Sequence, residues 1–304
     1  MNKNKGLLLI LSTAFISGFS IFINKFGVGV INPYIFTGLK NIIVALLIVG
    51  WLLMMKDWQI LKKLKKNQWL LLIGVGLIGG SIPFLLFFKG LTLTSGVQAA
   101  FIHKTMFIFI AVLAAIFLKE KITRGFLMAG LLLLLGNILL LKILPHQFGL
   151  GDLLILSATL LWASENVLSK YLLKSLPARI VIWGRMGFGS FFIILFWLMT
   201  GQAHLAGSLN LAQLGWVMIT TVFLFGYVTT WYLGLKYVKV SVAAVILLLS
   251  TPITTLLTVL FLNGSLVFSQ AVGLSLIILA VGLICLYSLR LSKYDFKKKS
   301  IFSL

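Results

Sequence analysis

One apolar stretch of the chain carries an acid at a depth where a membrane-spanning helix normally has none. Residues 152–170 read DLLILSATLLWASENVLSK, with Glu165 deep inside, Trp162 one turn before it and Asn166 beside it. A span needs about 20 apolar residues, because roughly 30 Å of hydrocarbon is crossed at 1.5 Å per residue. An ionisable side chain within a span is costly and usually faces a cavity or a partner. Glu165 is therefore the first candidate for a functional residue.

The composition extends this interpretation to the whole chain. Of 304 residues, 61% are hydrophobic and 10% are charged, and the mean hydropathy is +1.13. Backbone groups in lipid must hydrogen-bond internally, which leaves helices or a closed barrel. The apolar runs are continuous rather than alternating, so the sequence predicts an all-α membrane protein.

The apolar runs divide the chain into ten predicted transmembrane helices joined by short connections. They cover about 6–28, 33–55, 69–90, 95–118, 124–143, 150–172, 178–200, 212–235, 241–263 and 268–289. A basic segment, 291–304, follows the last of them.

Charge sets the predicted orientation. The net charge of +21 comes mostly from lysines between apolar runs, and these fall on one side of the membrane when both termini are cytoplasmic. This distribution favours membrane topology over nucleic-acid binding. The lysine-rich, multi-pass chain is expected in a bacterial inner (plasma) membrane.

The chain also contains an internal repeat. Residues 11–25 align with 156–170 at an offset of 145, which places Glu165 opposite Ser20 and Trp162 opposite Ser17. We predict a first repeat over 1–145, a second over 146–290, and a basic cytoplasmic tail over 291–304. Five spans per repeat is an odd number, so the second repeat is expected to sit inverted in the membrane, as in many secondary transporters.

Further matches extend the repeat and carry a family resemblance. Pro33 and Lys40 correspond to Pro177 and Arg185, and FFKGLTLTSGVQAAFI (87–102) corresponds to WYLGLKYVKVSVAAVI (231–246). With the LKEK sequence at 118–121, these features resemble the EamA-type branch of the drug/metabolite transporter superfamily. The resemblance implies two five-helix repeats, secondary transport and no enzymatic activity.

Three features depart from the repeat or from the family pattern. Ile108 stands where the second repeat has Pro252, and Gly264 stands where the first repeat has Glu120. The pair His103–Lys104 inside the fourth predicted helix is not a general feature of the family.

The intramembrane charges are the main site candidates. Glu165 is predicted to couple transport to protons or to hold a cationic substrate group, and the alternative is a structural ion pair. Lys104 could bind a substrate carboxylate or phosphate, or could neutralise Glu165. At 1.5 Å per residue their predicted depths differ by about 6 Å, which a lysine stem can cover. His103 is a second candidate for proton coupling.

Other polar and aromatic side chains are predicted to line the same substrate site, although each also has an ordinary packing interpretation. Trp162 could hold an amine by a cation–π contact. Lys40 and Arg185 recur in both repeats, which favours a structural role such as binding helix-end carbonyls. The remaining predicted substrate-binding residues are Asn166, Trp231, Tyr232, Ser17 and Ser20.

Two predicted helices contain sequences that can break a helix. Glycines at 74, 76, 79 and 80 precede Pro83 in the third, and Pro252 follows Ser250 and Thr251 in the ninth. Such breaks free backbone groups for ligands or hinges, whereas small residues can equally serve tight packing.

Together these features predict a secondary transporter, an exporter that works by alternating access and is coupled to protons. The family resemblance implies that its substrates are small polar metabolites such as amino acids. One alternative is an exporter of cationic amines or drugs, and another is a non-transporting membrane enzyme or assembly factor with structural buried charges. No cofactor or metal is predicted, because the sequence lacks phosphate-cradling and metal-ligand motifs. The expected partners are a small-molecule substrate and the lipid bilayer, and a homodimer is left open.

Overall fold

The computed structural model describes residues 3–141, 147–262 and 264–301, and side chains from residue 4 to residue 289 within these ranges. Every regular element in the described residues is a helix. The predicted boundary between the repeats, at 145–146, lies outside the described residues. The helices of the first repeat are α1 (Lys3–Val28), α2 (Pro33–Met54), α3 (Trp58–Leu61), α4 (Lys66–Gly80), α5 (Ile82–Leu91), α6 (Gly96–Lys104), α7 (Met106–Leu118) and α8 (Arg124–Leu141).

The second repeat has the same order of elements. Its helices are α9 (Leu150–Leu172), α10 (Ala178–Trp183), a π-helical segment (Gly184–Phe188), α11 (Gly189–Met199), α12 (His204–Gly207), α13 (Leu211–Leu235), α14 (Val240–Leu247), α15 (Ser250–Phe261) and α16 (Phe268–Ile301). The last helix therefore extends beyond the apolar run that ends near residue 289.

Within the described residues, nine helical segments are long and apolar enough to cross a membrane, and each matches one of the predicted spans. The predicted span missing from this set is α9, which is 23 residues long. At 1.5 Å per residue it reaches about 34 Å, which is sufficient to cross the hydrocarbon. It is less apolar because it carries Asp152, Glu165, Asn166 and Lys170. The count of ten spans and the orientation of the termini stay predictions.

Helices of one repeat pack against helices of the other in an arrangement that is the same for both repeats. The first helix of each repeat lies against the third helix of the other, since α1 packs on α13 and α9 packs on α4 and α5. The fourth helices meet through α7 and α14, and the fifth helices meet through α8 and α16. At the last contact a Cβ added to Gly136 would come within 2.8 Å of the Gly273 carbonyl oxygen, so glycine allows this close approach.

Several spans are interrupted near their middles. The third span breaks at Ser81, between α4 and α5, where Pro83 cannot donate a backbone hydrogen bond. The ninth breaks between α14 and α15, just before Pro252. The fourth breaks at Thr105, between α6 and α7, although it has no proline. The seventh contains the π-helical segment, a feature that often marks functional sites.

Candidate functional site

A cavity of about 330 Å³ lies where the two repeats meet. Its wall combines residues from α1, the broken third, fourth and ninth spans, α9, the π-helical segment and α13. The lining residues are Ser17, Ser20, Ile21, Phe84, His103, Lys104, Met106, Phe107, Trp162, Asn166, Arg185, Leu224, Tyr227, Ala244, Leu247, Leu248, Ser250 and Thr251. This volume is at the lower end of the range typical of small-molecule pockets.

The two broken fourth helices contribute matching parts of this wall. Residues 103–107, around the break at Thr105, line the cavity with His103, Lys104, Met106 and Phe107. The corresponding residues of the second repeat, 247–251, line it with Leu247, Leu248, Ser250 and Thr251. The breaks thus occupy equivalent positions, but only the first carries charged or titratable side chains.

Aromatic rings enclose Trp162. The ring centroids of Phe84 and His103 both lie 5.1 Å from that of Trp162, and the Phe87 centroid lies 5.6 Å from it. The Trp162 indole N–H donates to the Gly79 carbonyl oxygen at 3.2 Å. The break after α4 leaves this carbonyl available, so the glycines and Pro83 serve both packing and hydrogen bonding.

Glu165 lies behind the cavity wall rather than on it. Its side chain is fully buried, and Oε1 accepts hydrogen bonds from the hydroxyls of Ser169, at 2.6 Å, and Tyr232. Oε2 has no hydrogen-bond partner. In the part of the chain that the structure describes, Glu165 and Lys104 form no ion pair, so the postulated bridge between them is not present.

Arg185 is the cation that interacts with Glu165. Its guanidinium interacts electrostatically with Glu165 and lies within hydrogen-bonding reach of Tyr232. Nη2 donates to the Gly79 carbonyl oxygen at 3.4 Å, and Nε is buried without a partner. The hypothesis of a helix-end carbonyl contact therefore holds for Arg185. It does not hold for Lys40, whose ammonium donates to Asn24 Oδ1 at 2.7 Å.

The predicted site residues fall into two groups. The structure places Ser17, Ser20, His103, Lys104, Trp162 and Asn166 on the cavity wall. Glu165, Trp231 and Tyr232 lie behind it, each at most 2% exposed. Trp231 reaches the site indirectly, because its indole N–H donates to Asn166 Oδ1 at 3.0 Å.

Sequence reasoning missed Tyr227 and assigned Arg185 only a structural role, yet both line the cavity. Tyr227 stacks on Trp231, with centroids 6.2 Å apart and planes 12° apart. The spacing of Tyr227 and Trp231, one helical turn apart, was a usable signal.

The fold and the cavity define a class of protein: a membrane transporter with two structural repeats and a central site between broken helices. The sequence profile of the EamA-like transporter family matches residues 4–142 and 149–286. The chain therefore belongs to the EamA-like transporter family, and the two matched ranges confirm the two repeats.

Similar proteins are also named as transporters. An uncharacterized transporter of Methanothermobacter thermautotrophicus is 25% identical over 233 residues, covering 74% of this chain and 66% of that protein. The riboflavin transporter ImpX of Fusobacterium nucleatum is 29% identical over 223 residues, covering 67% of this chain and 72% of that protein. The uncharacterized transporter YyaM of Bacillus subtilis is 27% identical over 250 residues, covering 78% of this chain and 79% of that protein.

The fold also matches a solved crystal structure. The TM-score is 0.79 over 94% of this chain and 99% of the other, with 17% sequence identity. At this identity the match concerns the fold alone.

Proposed function

We propose that this chain is a secondary transporter that binds small polar metabolites, amino acids first among them, in the central cavity and moves them by alternating access. The single observation that carries the proposal is the meeting of two equivalent broken helices at one cavity between the repeats. Helix breaks at the interface of inverted repeats are where transporters of this architecture bind substrate.

The wall chemistry supports a polar substrate with an acidic group more than a cationic amine. Lys104 and Arg185 line the cavity, and among the described residues its wall carries no carboxylate. Hydroxyls of Ser17, Ser250 and Thr251 offer further hydrogen bonds to a polar ligand. The export of cationic amines or drugs is the weaker alternative, because two cations would repel such a substrate.

The aromatic part of the wall allows a second candidate substrate class. Phe84, Trp162 and Tyr227 line the cavity. One relative is named a riboflavin transporter, and riboflavin contains a flat ring system that could stack on such side chains. Riboflavin therefore belongs in any substrate panel for this protein.

The proposed direction is export and the proposed coupling is to protons. Glu165 is a fully buried carboxyl one residue from the wall residue Asn166, and its Oε2 is free of hydrogen bonds. A buried carboxyl with an unoccupied oxygen can accept a proton, and doing so removes a charge from the low-dielectric interior. His103, also with an unpartnered Nδ1, is the second candidate for this role.

The test uses purified protein reconstituted into liposomes and a panel of amino acids, organic acids, amines and riboflavin. We expect uptake of at least one polar metabolite, stimulated by a pH gradient and insensitive to ATP. In the Glu165→Gln variant, the response to the pH gradient should be lost, while exchange of substrate across the membrane should persist, at a higher substrate concentration.

The control is the Ser164→Ala variant, since Ser164 is half-buried, does not line the cavity, and its hydroxyl donates only to the Leu160 carbonyl oxygen at 2.9 Å. Absence of transport for every class, by a protein that remains folded, would favour a non-transporting membrane protein. If transport by the wild type does not respond to the pH gradient, the proposal of proton coupling is wrong and the proposal of transport still holds.

A further inference from the structure

Lys104 lines the cavity without a counter-ion. In the part of the chain whose side chains are described, its ammonium forms no hydrogen bond and no ion pair. It is held at the break between α6 and α7, so its ammonium is presented from the middle of a span. An unpaired ammonium at this depth is unfavourable, and another group must supply the negative charge.

The four carboxylates whose side chains the structure describes do not supply this charge. Asp57 pairs with Arg179, Glu120 accepts from the backbone N–H of Val240, and the remaining described acids are Asp152, which accepts from Thr94, and Glu165. Glu165 is the one near the cavity, and it lies behind the wall beside Arg185. Since Glu165 interacts with Arg185 and not with Lys104, the Lys104 ammonium leaves an excess positive charge at the cavity surface.

Arg185 is a second cation on the cavity wall that can bind an anionic ligand. The guanidinium interacts with Glu165 and Tyr232, which both lie behind the cavity wall, and Gly79 accepts a long hydrogen bond of 3.4 Å from Nη2. Nε has no partner. A guanidinium fixed from behind keeps the remaining N–H groups of its planar fork for a ligand, and this fork suits the two oxygens of a carboxylate or phosphate.

We infer that the cavity recognises the anionic group of its substrate, a carboxylate or a phosphate monoester, through Lys104 and Arg185. The rest of the molecule then lies against Trp162 and Tyr227. Glu165 is a positioning residue, which orients Arg185 and does not touch the substrate. This inference rests on the proposed transport function and specifies the substrate class of the same site.

The experiment compares five compounds that share a phenyl ring and differ in charge: 3-phenylpropanoate, phenylalanine, phenyl phosphate, phenylalanine amide and phenethylamine. Binding is measured from the ligand-induced rise in apparent stability of the purified protein in detergent, which depends on ligand concentration and Kd. We expect stabilisation by one or more of the three acids and not by the amide or the amine. Comparison of the carboxylates with phenyl phosphate distinguishes the two anionic groups.

Variants assign the effect to the two cations. Lys104→Gln should raise the Kd of the bound acid about tenfold or more, because it removes a charge-assisted hydrogen bond, and Lys104→Arg should retain binding. Arg185→Lys removes the guanidinium and keeps the positive charge. This variant should weaken the binding of carboxylates more than the binding of phosphate. Lys40→Gln is the matched control, since Lys40 is the repeat counterpart of Arg185 and does not line the cavity.

Three results would overturn the inference: stabilisation by the amine or amide equal to that by the acids, an unchanged Kd in Lys104→Gln, or no stabilisation by any acid in the set or by any of the twenty amino acids. The inference and the transport proposal fail separately. If liposomes take up an amine but no acid, transport stands and the anionic site is wrong.

Discussion

The two repeats place three equivalent residues in the same relationship but give them different chemistry. In the first repeat, Lys40 Nζ donates to Asn24 Oδ1 at 2.7 Å, and Asn24 Nδ2 donates to Ser20 Oγ at 2.9 Å. This cluster solvates the lysine with neutral groups. Ser20, which belongs to this cluster, lines the cavity.

In the second repeat the corresponding residues are Glu165, Ser169 and Arg185. Ser169 donates to Glu165 at 2.6 Å, and Arg185 interacts electrostatically with the carboxylate. The repeat symmetry therefore fixes where the polar cluster lies, and the residue in the first helix decides whether the cation is neutralised. A neutral cluster can lose a member at modest cost, whereas a charged cluster leaves an orphaned charge.

The two repeats also differ in the connection between the third and fourth spans, which is packed in the second repeat and exposed in the first. The connection between α13 and α14 is packed, with Leu235, Val238 and Val240 at most 1% exposed, and the Glu120 carboxylate accepts from the Val240 N–H at 2.9 Å. Its counterpart between α5 and α6 has Leu93 49% exposed. The position equivalent to Glu120 is Gly264, which has no side chain to cap α6. The proposed alternating access would require such a difference between equivalent connections in each of its states.

The largest effect is expected from removing Arg185. Arg185→Gln leaves Glu165 buried without its cation and should lower the free energy of unfolding by about 3 kcal/mol, whereas Lys40→Gln should cost about 1 kcal/mol. The measurement is thermal unfolding in detergent. Adding Glu165→Gln to Arg185→Gln should recover part of the loss, and equal losses in the two single variants would contradict the comparison.

A smaller loss is expected from the glycine at the break of the third span. A Cβ on Gly80 would lie 2.4 Å from the Arg185 carbonyl oxygen and 2.8 Å from Gly189 Cα, which are backbone atoms that cannot move aside. Gly80→Ala should therefore cost about 2 kcal/mol. In the third span of the second repeat, Gly226→Ala meets only the flexible end of Ile16 at 3.4 Å and should be nearly neutral in the same unfolding assay. Comparable losses would show that the third spans pack alike.

The third prediction concerns the two ends of the bundle. In a Cys285→Ser background, a cysteine placed by Gly96→Cys should react with a soluble maleimide faster than one placed by Val240→Cys, since position 96 is exposed and Val240 is buried. Glu120→Gln weakens the cap on α14, by about 1.5 kcal/mol, and should raise the reactivity of the Val240→Cys variant. No change on Glu120→Gln would mean that the cap does not hold this end closed.

The smallest effect is expected at Ser20. Ser20→Ala removes one acceptor of Asn24 Nδ2, which keeps the Ser20 carbonyl oxygen at 2.6 Å. The loss in stability should be about 0.5 kcal/mol, because the variant loses one hydrogen bond between neutral groups and leaves no charge without a partner. Ser169→Ala, the matched change in the second repeat, should cost more in the same measurement. The reverse order would remove the distinction between the neutral and charged clusters.

Much of the fold could be predicted from hydropathy and repetition. The apolar runs correspond to described helices, and the offset of 145 was sufficient to predict that Ser20 and Glu165 occupy equivalent places. Pro83 and Pro252 marked two of the helix breaks, since proline lacks the N–H that a continuous helix needs. The break at Thr105 has no such signal, because the fourth span contains no proline.

The candidate site was predicted less completely. The sequence alone determined that Glu165, Lys104, Trp162 and Asn166 sit at membrane depth, because depth follows from residue count. The tertiary structure decided which of them face the cavity. Helix rotation and neighbouring helices place Lys104 on the wall and Glu165 behind it, and the packing of the two repeats brings Lys104 and Arg185 to one cavity.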